Sequence, residues 1–398
     1  IDNSQTIDYL HGKMVKNVII LGNHIQALGL VRQANAMRVK ALLATPDRYS
    51  VAYFSNTVSE VLFYDTPKEL YNKICSYKAE MKETLLFPTN DEMIEFLVKY
   101  YDEFEKSFYM GIPRPEIVEL FSNKRNTYRF CEQYHIACPR SWYPNTIEEV
   151  EQIADEVDYP VIIKPSIMYS FHRLFGKKAF RCNNKNELIQ RAVVVAKYFS
   201  LENILIQEFL SGGPQYLYSY GTFATEGVPN AAVMVNRIRQ NPMDFGNSTT
   251  FAITCNIPEI RKTAEQILKL TRYFGLAEVE FMYDTNTDTY KFIEINTRAW
   301  KWHSISNKLG FGFLAEMIHY YNGEVTETKL DFTRKTAWVE RLTDFSVIVK
   351  EVIKGNLNMR EIYNSYKIEK EYAVWSSKDK LPFFMYVLMS PLLFFKRK

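Results

Sequence analysis

The sequence predicts an α/β (α+β) protein with a small open parallel sheet first and a larger, mixed-sheet region after it. Three observations carry this. Val18-Ile19-Ile20-Leu21-Gly22, the helical spacing over residues 27–34 and the apolar run 40–44 form a strand–helix–strand unit, which implies a parallel sheet. Residues 159–166 and 203–210 are β-branched strands separated by an amphipathic helix over 186–199. Residues 276–284 and 291–296 alternate apolar and polar around the turn residues Thr285-Asn286-Thr287-Asp288-Thr289, the pattern of a β-hairpin.

Composition bounds the rest. With 398 residues there is length for two or three domains, and 47% hydrophobic with 24% charged residues is ordinary for a soluble globular chain. A net charge of +3 gives no reason to expect a nucleic-acid partner. The five cysteines are scattered, without zinc or redox-dithiol spacing, which fits a reducing, cytoplasmic compartment. No run of about 20 apolar residues is present. Residues 1–13 are polar and read as an extension ahead of a natural start at Met14.

In the N-terminal region only Gly22 and Gly29 are available, no Gly-x-Gly turn occurs and no acid closes residues 40–44, so a dinucleotide site is not expected. Gly22 is expected to let a helix pack close to its strand. Residues 61–64 and 84–88 read as further strands, with Asn90-Asp91 capping the next helix. Pro113 and Pro115 mark a boundary. A helix then opens with Ser122 or Asn123 as its cap and Lys124 in its first turn, where the helix dipole disfavours a cation; an anionic partner or a solvated surface position would account for it. Lys164 ends a β-branched strand and is stiffened by Pro165, a fixed point charge for phosphate. The following loop, 167–178, carries His172, Arg173, Lys177 and Lys178 and could close over an anion, with Gly176 as its one glycine.

The end of the strand Gln207-Glu208-Phe209-Leu210 offers backbone donors and acceptors beside apolar side chains, as an adenine ring requires. Residues 233–240 form a strand ending in Arg237 and Arg239; two apart, they are expected on one face, against a phosphate, a carboxylate or a surface ion-pair ladder. In the hairpin, pairing Tyr283 with Lys291 sets Glu280 opposite Glu294, and Glu294 shares a face with Asn296. Two facing carboxylates repel unless a cation lies between them, and two acids with an amide suit Mg²⁺ held jointly with phosphates. A register slipped by one residue would separate the acids onto opposite faces, leaving a solvent-exposed polar strand. Arg298 follows with a fork of donors, then Trp300, Trp302 and His303, either a pocket wall or core. Residues 311–321 read as a helix. Beyond residue 324 no chemistry is legible; the tail, apolar over 381–395 and basic over 396–398, is expected to dock on the protein's own surface, with weak membrane-surface contact as the alternative.

In order, Lys124, Val161-Ile162-Ile163-Lys164-Pro165, Ile206 to Gly213, Val279-Glu280-Phe281 and Glu294-Ile295-Asn296-Thr297-Arg298 resemble the ATP-grasp superfamily over residues 123–322. The segments around Arg239 and Trp300 are similar to its bacterial carboxylate–amine ligase branch. The resemblance implies an ATP-grasp fold behind a Rossmann-like pre-grasp domain: 14–122 pre-grasp, 123–206 small or lid subdomain, 207–325 large subdomain with the metal site, and 326–398 an extension. It implies Lys124, Lys164 and Lys178 on the ATP phosphates, residues 166–178 as the lid, and Gln207, Glu208, Phe209 and Leu210 as the adenine hinge, with Gln215 near the ribose. Glu280, Glu294 and Asn296 would hold Mg²⁺ or Mn²⁺. Arg298 and Arg239 would steady the transferred phosphate and acyl group, and Arg237, Trp300, Trp302 and His303 would line the acceptor side. The implied chemistry is carboxylate phosphorylation by ATP, then attack by an amine. The substrates would be amino acid, peptide or sugar acid, in a cytoplasmic enzyme able to form a homo-oligomer or to touch a membrane surface peripherally. Thr297 stands where proline is common, the lid is poor in glycine, and Gln215 replaces the acid many members use. A non-catalytic ATP-binding module acting through a partner protein is the second reading, and a dehydrogenase the third.

Overall fold

The computed structural model describes residues 14–77, 83–167, 171, 174–243, 246 and 248–396. Strands β1 (Asn17–Leu21), β2 (Lys40–Thr45), β3 (Glu60–Phe63), β4 (Thr84–Pro88) and β5 (Tyr109–Met110) form a parallel sheet in the order β3-β2-β1-β4-β5. Val18, Ile19, Ile20 and Leu21 are all fully buried, as expected of a parallel strand covered on both faces. Gly22 has φ +121°, and a Cβ there would lie 2.0 Å from Thr89 Oγ1. Gly22 thus makes a turn at positive φ and lies close against Thr89 and Asn90, where the next helix begins. Asn90 caps the helix Asp91–Lys99 by accepting from Met93 N at 2.9 Å, which leaves Asp91 in the exposed first turn.

β6 (Ser141–Trp142), β7 (Val161–Pro165), β8 (Phe180–Cys182) and β9 (Ile204–Glu208) form an antiparallel sheet, order β6-β9-β7-β8. The helices Ile147–Glu156 and Lys185–Ala196 pack on it through Val150, Ala154, Leu188, Ala192 and Val195. The third sheet has eight strands. β10 (Leu217–Thr225), β11 (Val228–Asn241), β12 (Ser248–Thr254), β13 (Gly275–Asp284) and β14 (Thr289–Asn296) are joined by β15 (Lys329–Leu330), β16 (Ala337–Val339) and β17 (Lys370–Tyr372). The order is β14-β13-β10-β11-β12-β16-β17, with β15 beside β11.

The region after residue 324 is thus part of the scaffold, although its sequence shows no chemistry. It extends the large sheet, and its buried Asp379 accepts from Arg32 Nε (2.9 Å), Ser55 Oγ (2.7 Å) and Asn56 N (3.1 Å), joining the C-terminus to the N-terminal domain. The helix Leu381–Lys396 lies on the protein with Tyr386 and Met389 buried, while Leu381, Phe384 and Leu388 are exposed. Among the described residues no helix is long and apolar enough to cross a membrane. The cysteines are free; Cys131, in the helix Lys124–Gln133, and Cys138, seven residues on and beyond its end, place their thiols in hydrogen-bonding contact.

One face of the large sheet packs on the N-terminal domain through Trp300, Trp302, Phe313 and Trp338 against Leu28 and Val31. His303 is fully buried there, its Nε2–H donating to Gln26 O at 3.1 Å, and a Cβ at Gly29 would fall 2.7 Å from its ring. Burial holds its pKa down to about 4, from 6.5. The unfolded chain therefore binds a proton below pH 6.5 that the folded chain refuses until about pH 4, so stability falls as pH drops through that window. Between pH 7 and 4.5 the loss is about 2–3 kcal/mol. Urea unfolding at the two pH values should show wild type losing that much more than His303→Leu; equal losses would refute a buried neutral imidazole.

Candidate nucleotide and metal site

The site is set by the β13–β14 hairpin, whose register is not uniform. Near the turn Tyr283 pairs with Tyr290 and Met282 with Lys291, one residue off the pairing read from the sequence. A β-bulge then passes over Ile293, and beyond it Glu280 faces Glu294 and Glu278 faces Asn296. The bulge restores the arrangement that the simple register predicts at the acids. It also frees the Ile293 carbonyl, which accepts from Tyr128 Oη at 2.7 Å. The same phenol oxygen accepts from Lys164 Nζ at 3.0 Å. Lys164 is thereby joined to the metal-side hairpin through a buried tyrosine that sequence patterning did not single out.

Asn123 caps the helix Lys124–Gln133, accepting from Arg125 N at 3.0 Å, and Lys124 N donates to Ser166 O at 2.9 Å. This places Lys124 Nζ 3.0 Å from Glu294 Oε2. Burial opposes the Lys124 charge, but Glu294 keeps its pKa above the ordinary value. Lys124 is in turn the main reason that Glu294 is held down to about 2. Glu280 moves the other way, to about 8, because burial outweighs the opposing Arg237 while Glu278 and Glu294 add repulsion. Burial, then Lys124's charge, pushes Lys164 well below its ordinary range, and burial also lowers Lys178, which feels Glu294, Glu280 and Lys124. Lys124, held charged by Glu294, depresses Lys164 and Lys178, and three lysines so placed beside two carboxylates suit a polyanion accompanied by a cation.

Arg237 donates through Nη2 to Glu278 (3.0 Å) and Ser219 (3.2 Å), and the same nitrogen is ion-paired with Glu280 at 2.5 Å. Asn296 Nδ2 donates to Glu278 (3.1 Å) and Glu280 (3.0 Å). Arg298 bonds the exposed Asp91 carboxylate at 2.5 and 3.1 Å, so the N-terminal domain supplies its partner; its Nη2 also lies 3.4 Å from Asn296 Oδ1. As site residues, Glu278 and Asp91 escaped the sequence reading, which took Asp91 only as part of a helix cap. Glu278 was legible in principle, since the register that pairs 280 with 294 also pairs 278 with 296.

On the hinge side, Gln207 is buried, with Nε2 donating to Ser141 Oγ at 2.7 Å. Glu208 takes Lys291 Nζ at 2.8 and 3.0 Å, and Lys291 also reaches Asp284 at 2.9 Å. The Glu208 carboxylate is therefore committed to the hairpin, and the backbone N–H groups of Glu208 and Phe209 donate to Arg140 O (2.9 Å) and Pro160 O (3.3 Å). Phe209 and Leu210 are half-buried, and Arg181 stacks on the Phe209 ring at 4.4 Å. Gln215 lies in the 3₁₀ turn Pro214–Tyr216, its carbonyl accepting from Asn236 Nδ2 at 2.9 Å. Of the loop expected to act as a lid, residues 168–170, His172 and Arg173 lie outside the described residues, as do Asp244, Phe245 and Asn247 of the turn-rich loop.

Several expectations are corrected. Arg237 and Arg239 do not share a face. A bulge at Ile238 sets Arg237 opposite Ala252 and Arg239 opposite its neighbour Phe251, which turns Arg239 to the other side of the sheet. There its guanidinium lies 4.2 Å over Phe251 and forms a bidentate pair with buried Asp344 at 2.8 and 2.9 Å. Trp300 and Trp302 are 1% exposed and His303 not at all, so these side chains are core and not an open acceptor wall. Trp300 lies on Gly221, where a Cβ would stand 2.2 Å from its ring. Trp302 still reaches the site from beneath, donating Nε1–H to Glu278 Oε1 at 2.7 Å.

The donor set fits a magnesium ion. Glu280 and Glu294 offer hard carboxylate oxygens and Asn296 an amide oxygen, and among the described residues no three or more His, Cys, Asp or Glu stand together as a metal-holding group. An open two-acid set is what Mg²⁺ uses when substrate phosphates complete its shell. Around it, Arg237 Nε and Ser166 Oγ are buried without a protein partner, donors available to a bound anion.

Comparison with known proteins bears on the family and the fold. The family model for the carbamoyl-phosphate synthase L chain, ATP binding domain, matches residues 123–329, just over half of the chain. A carbamoyl phosphate synthase large chain, C-terminal section, from Methanopyrus kandleri is 25% identical over 191 residues, which are 46% of this chain. The match spans only 34% of that relative's length. Among solved structures, the biotin carboxylase domain of Hydrogenobacter thermophilus 2-oxoglutarate carboxylase, in complex with MgADP, ADP and bicarbonate, superposes with TM-score 0.64 at 15% identity, covering 81% of this chain and 74% of that one. N5-carboxyaminoimidazole synthetase from Staphylococcus aureus gives TM-score 0.65 at 12% identity, covering 86% and 87%. These likenesses show the fold, an ATP-grasp fold preceded by a parallel α/β domain. The chain belongs to the family of the carbamoyl-phosphate synthase L chain ATP-binding domain, within the ATP-grasp superfamily.

Proposed function

We propose that the protein is an ATP- and Mg²⁺-dependent carboxylate–amine ligase that works through an acyl phosphate. The observation that carries this is the face-to-face placement of Glu280 and Glu294, with Asn296 alongside and Lys124 and Lys164 on the phosphate side. A bound Mg²⁺ would supply charge neutralisation between the phosphates. The chain's own residues do the rest. The 208–210 backbone takes the adenine, and Lys124, Lys164 and Lys178 hold the phosphate oxygens. A substrate carboxylate oxygen attacks the γ-phosphorus and ADP leaves; the amine nitrogen then attacks the acyl carbon, expelling phosphate and losing its proton. Arg298 and Arg237, which now takes the part expected of Arg239, orient the carboxylate and the transferred phosphoryl group. Positioning and electrostatics account for most of such catalysis, and closure of 166–178 would keep water from the acyl phosphate.

With Trp300, Trp302 and His303 in the core, the acceptor side is framed by Arg237 and Arg298 instead, which favours small anionic carboxylates such as amino acids, peptides or sugar acids over flat apolar ones. The test is phosphate release from MgATP with pooled amino acids and sugar acids, repeated with hydroxylamine as the amine. Substrate-dependent release with hydroxamate formation is expected. Nucleotide binding with no product from any pool would sink the ligase and leave the non-catalytic module.

A further inference from the structure

Resting on that reading, we infer that Glu278, held by Trp302, is the positioning residue that fixes which edge of the Asn296 carboxamide faces the metal. An asparagine amide has two nearly isosteric orientations, and only its hydrogen-bond partners choose between them. One edge of Asn296 lies 3.1 Å from Glu278 Oε2 and 3.0 Å from Glu280 Oε1. Between two carboxylate oxygens only the NH₂ group is compatible; turning the amide over would crowd three acceptors. The oxygen is thereby sent to the other edge, where Arg298 Nη2 lies 3.4 Å away.

Glu278 is built to keep doing this when Glu280 is otherwise engaged. Its Oε1 is saturated by Trp302 Nε1–H (2.7 Å) and Arg237 Nη2 (3.0 Å), so Oε2 is left for Asn296. Glu278 is 4% exposed and Trp302 1%, and Trp302 packs at 5.2 Å against Trp300, which lies on Gly221. A rigid indole, a donor with no alternative, thus fixes the carboxylate that fixes the amide. If Glu280 turns its oxygens to a metal, Glu278 is the partner that still holds the Asn296 NH₂. Partners of this kind behind metal ligands are worth roughly 10–100-fold in metal affinity.

In Glu278→Gln the amide oxygen still accepts from Trp302 and Arg237, but its NH₂ now meets the NH₂ of Asn296. Asn296 must turn over and present a donor where the metal needs an oxygen. Mn²⁺ binding in the presence of ADP, followed by the free-Mn²⁺ paramagnetic resonance signal, should weaken tenfold or more. ADP binding with the metal chelated should change less than twofold. Trp302→Phe, which keeps every charge, should weaken Mn²⁺ binding about three- to tenfold, and the double variant should be no worse than Glu278→Gln, because both act through one path. Mn²⁺ affinity within twofold of wild type in folded Glu278→Gln would overturn the assignment; if that variant does not fold, the same result in Trp302→Phe would overturn it. Wild type that binds neither ADP nor Mn²⁺ would instead fail the ligase reading itself.

Discussion

Replacing Glu294 by glutamine should lower MgATP-dependent phosphate release at least about a thousandfold, roughly 4 kcal/mol of transition-state stabilisation. Two losses combine in that figure. Glu294 is the acid of the facing pair that is firmly ionised, because Lys124 at 3.0 Å holds its pKa near 2 whereas Glu280 is pushed up to about 8. Glutamine in its place removes the dependable negative ligand for a divalent cation. It also leaves Lys124 facing Lys164 with less opposing charge, so the phosphate-side lysines discharge more readily. The loss should appear in kcat more than in ADP affinity without metal, since Lys164 and the hinge remain. A Glu294→Gln enzyme within tenfold of wild type in phosphate release would remove this residue from the metal site.

Much of that site was legible because β-sheet geometry turns sequence spacing into faces. The acids at 280 and 294, the amide at 296 and the lysines at 124 and 164 each sit at a strand end or helix start that local pattern marks. Bulges escape that logic. At Ile293 the extra residue repairs a register that the turn had shifted, so the expected facing of the acids arises from different pairing near the loop. At Ile238 the extra residue has the opposite effect and carries Arg239 away from Arg237. Nothing local in Arg237-Ile238-Arg239 distinguishes the two cases. The burial of Trp300, Trp302 and His303 was hidden for another reason. The glycines they press against, Gly221 and Gly29, are remote in sequence, so neither the aromatics nor the glycines signal a contact alone. The C-terminal strands were illegible because two or three residues each carry too little alternation to read, and their edge position depends on β11 and β12.

Asp344→Ala should cost about 3–5 kcal/mol of stability, the usual penalty for leaving one charge of a buried pair without its partner. Arg239 is 2% exposed and Asp344 not at all, and the carboxylate also accepts from Thr250 Oγ1 at 2.9 Å and Tyr366 Oη at 2.8 Å. Removing it strands the guanidinium and two hydroxyl donors in the layer between β11 and the helix Arg341–Ile353. Replacing both partners, as in Arg239→Met with Asp344→Leu, should recover much of the loss, since an apolar pair has no charge to desolvate. Urea midpoints of the single and double variants measure the coupling. Phosphate release well below the unfolding transition separates this scaffold role from the catalytic one first expected of Arg239. The double variant should keep turnover within about tenfold of wild type, because Arg237, not Arg239, pairs with Glu278 and Glu280 on the side of the sheet proposed to be reactive. A stable double variant that has lost turnover a hundredfold or more would return Arg239 to the reaction.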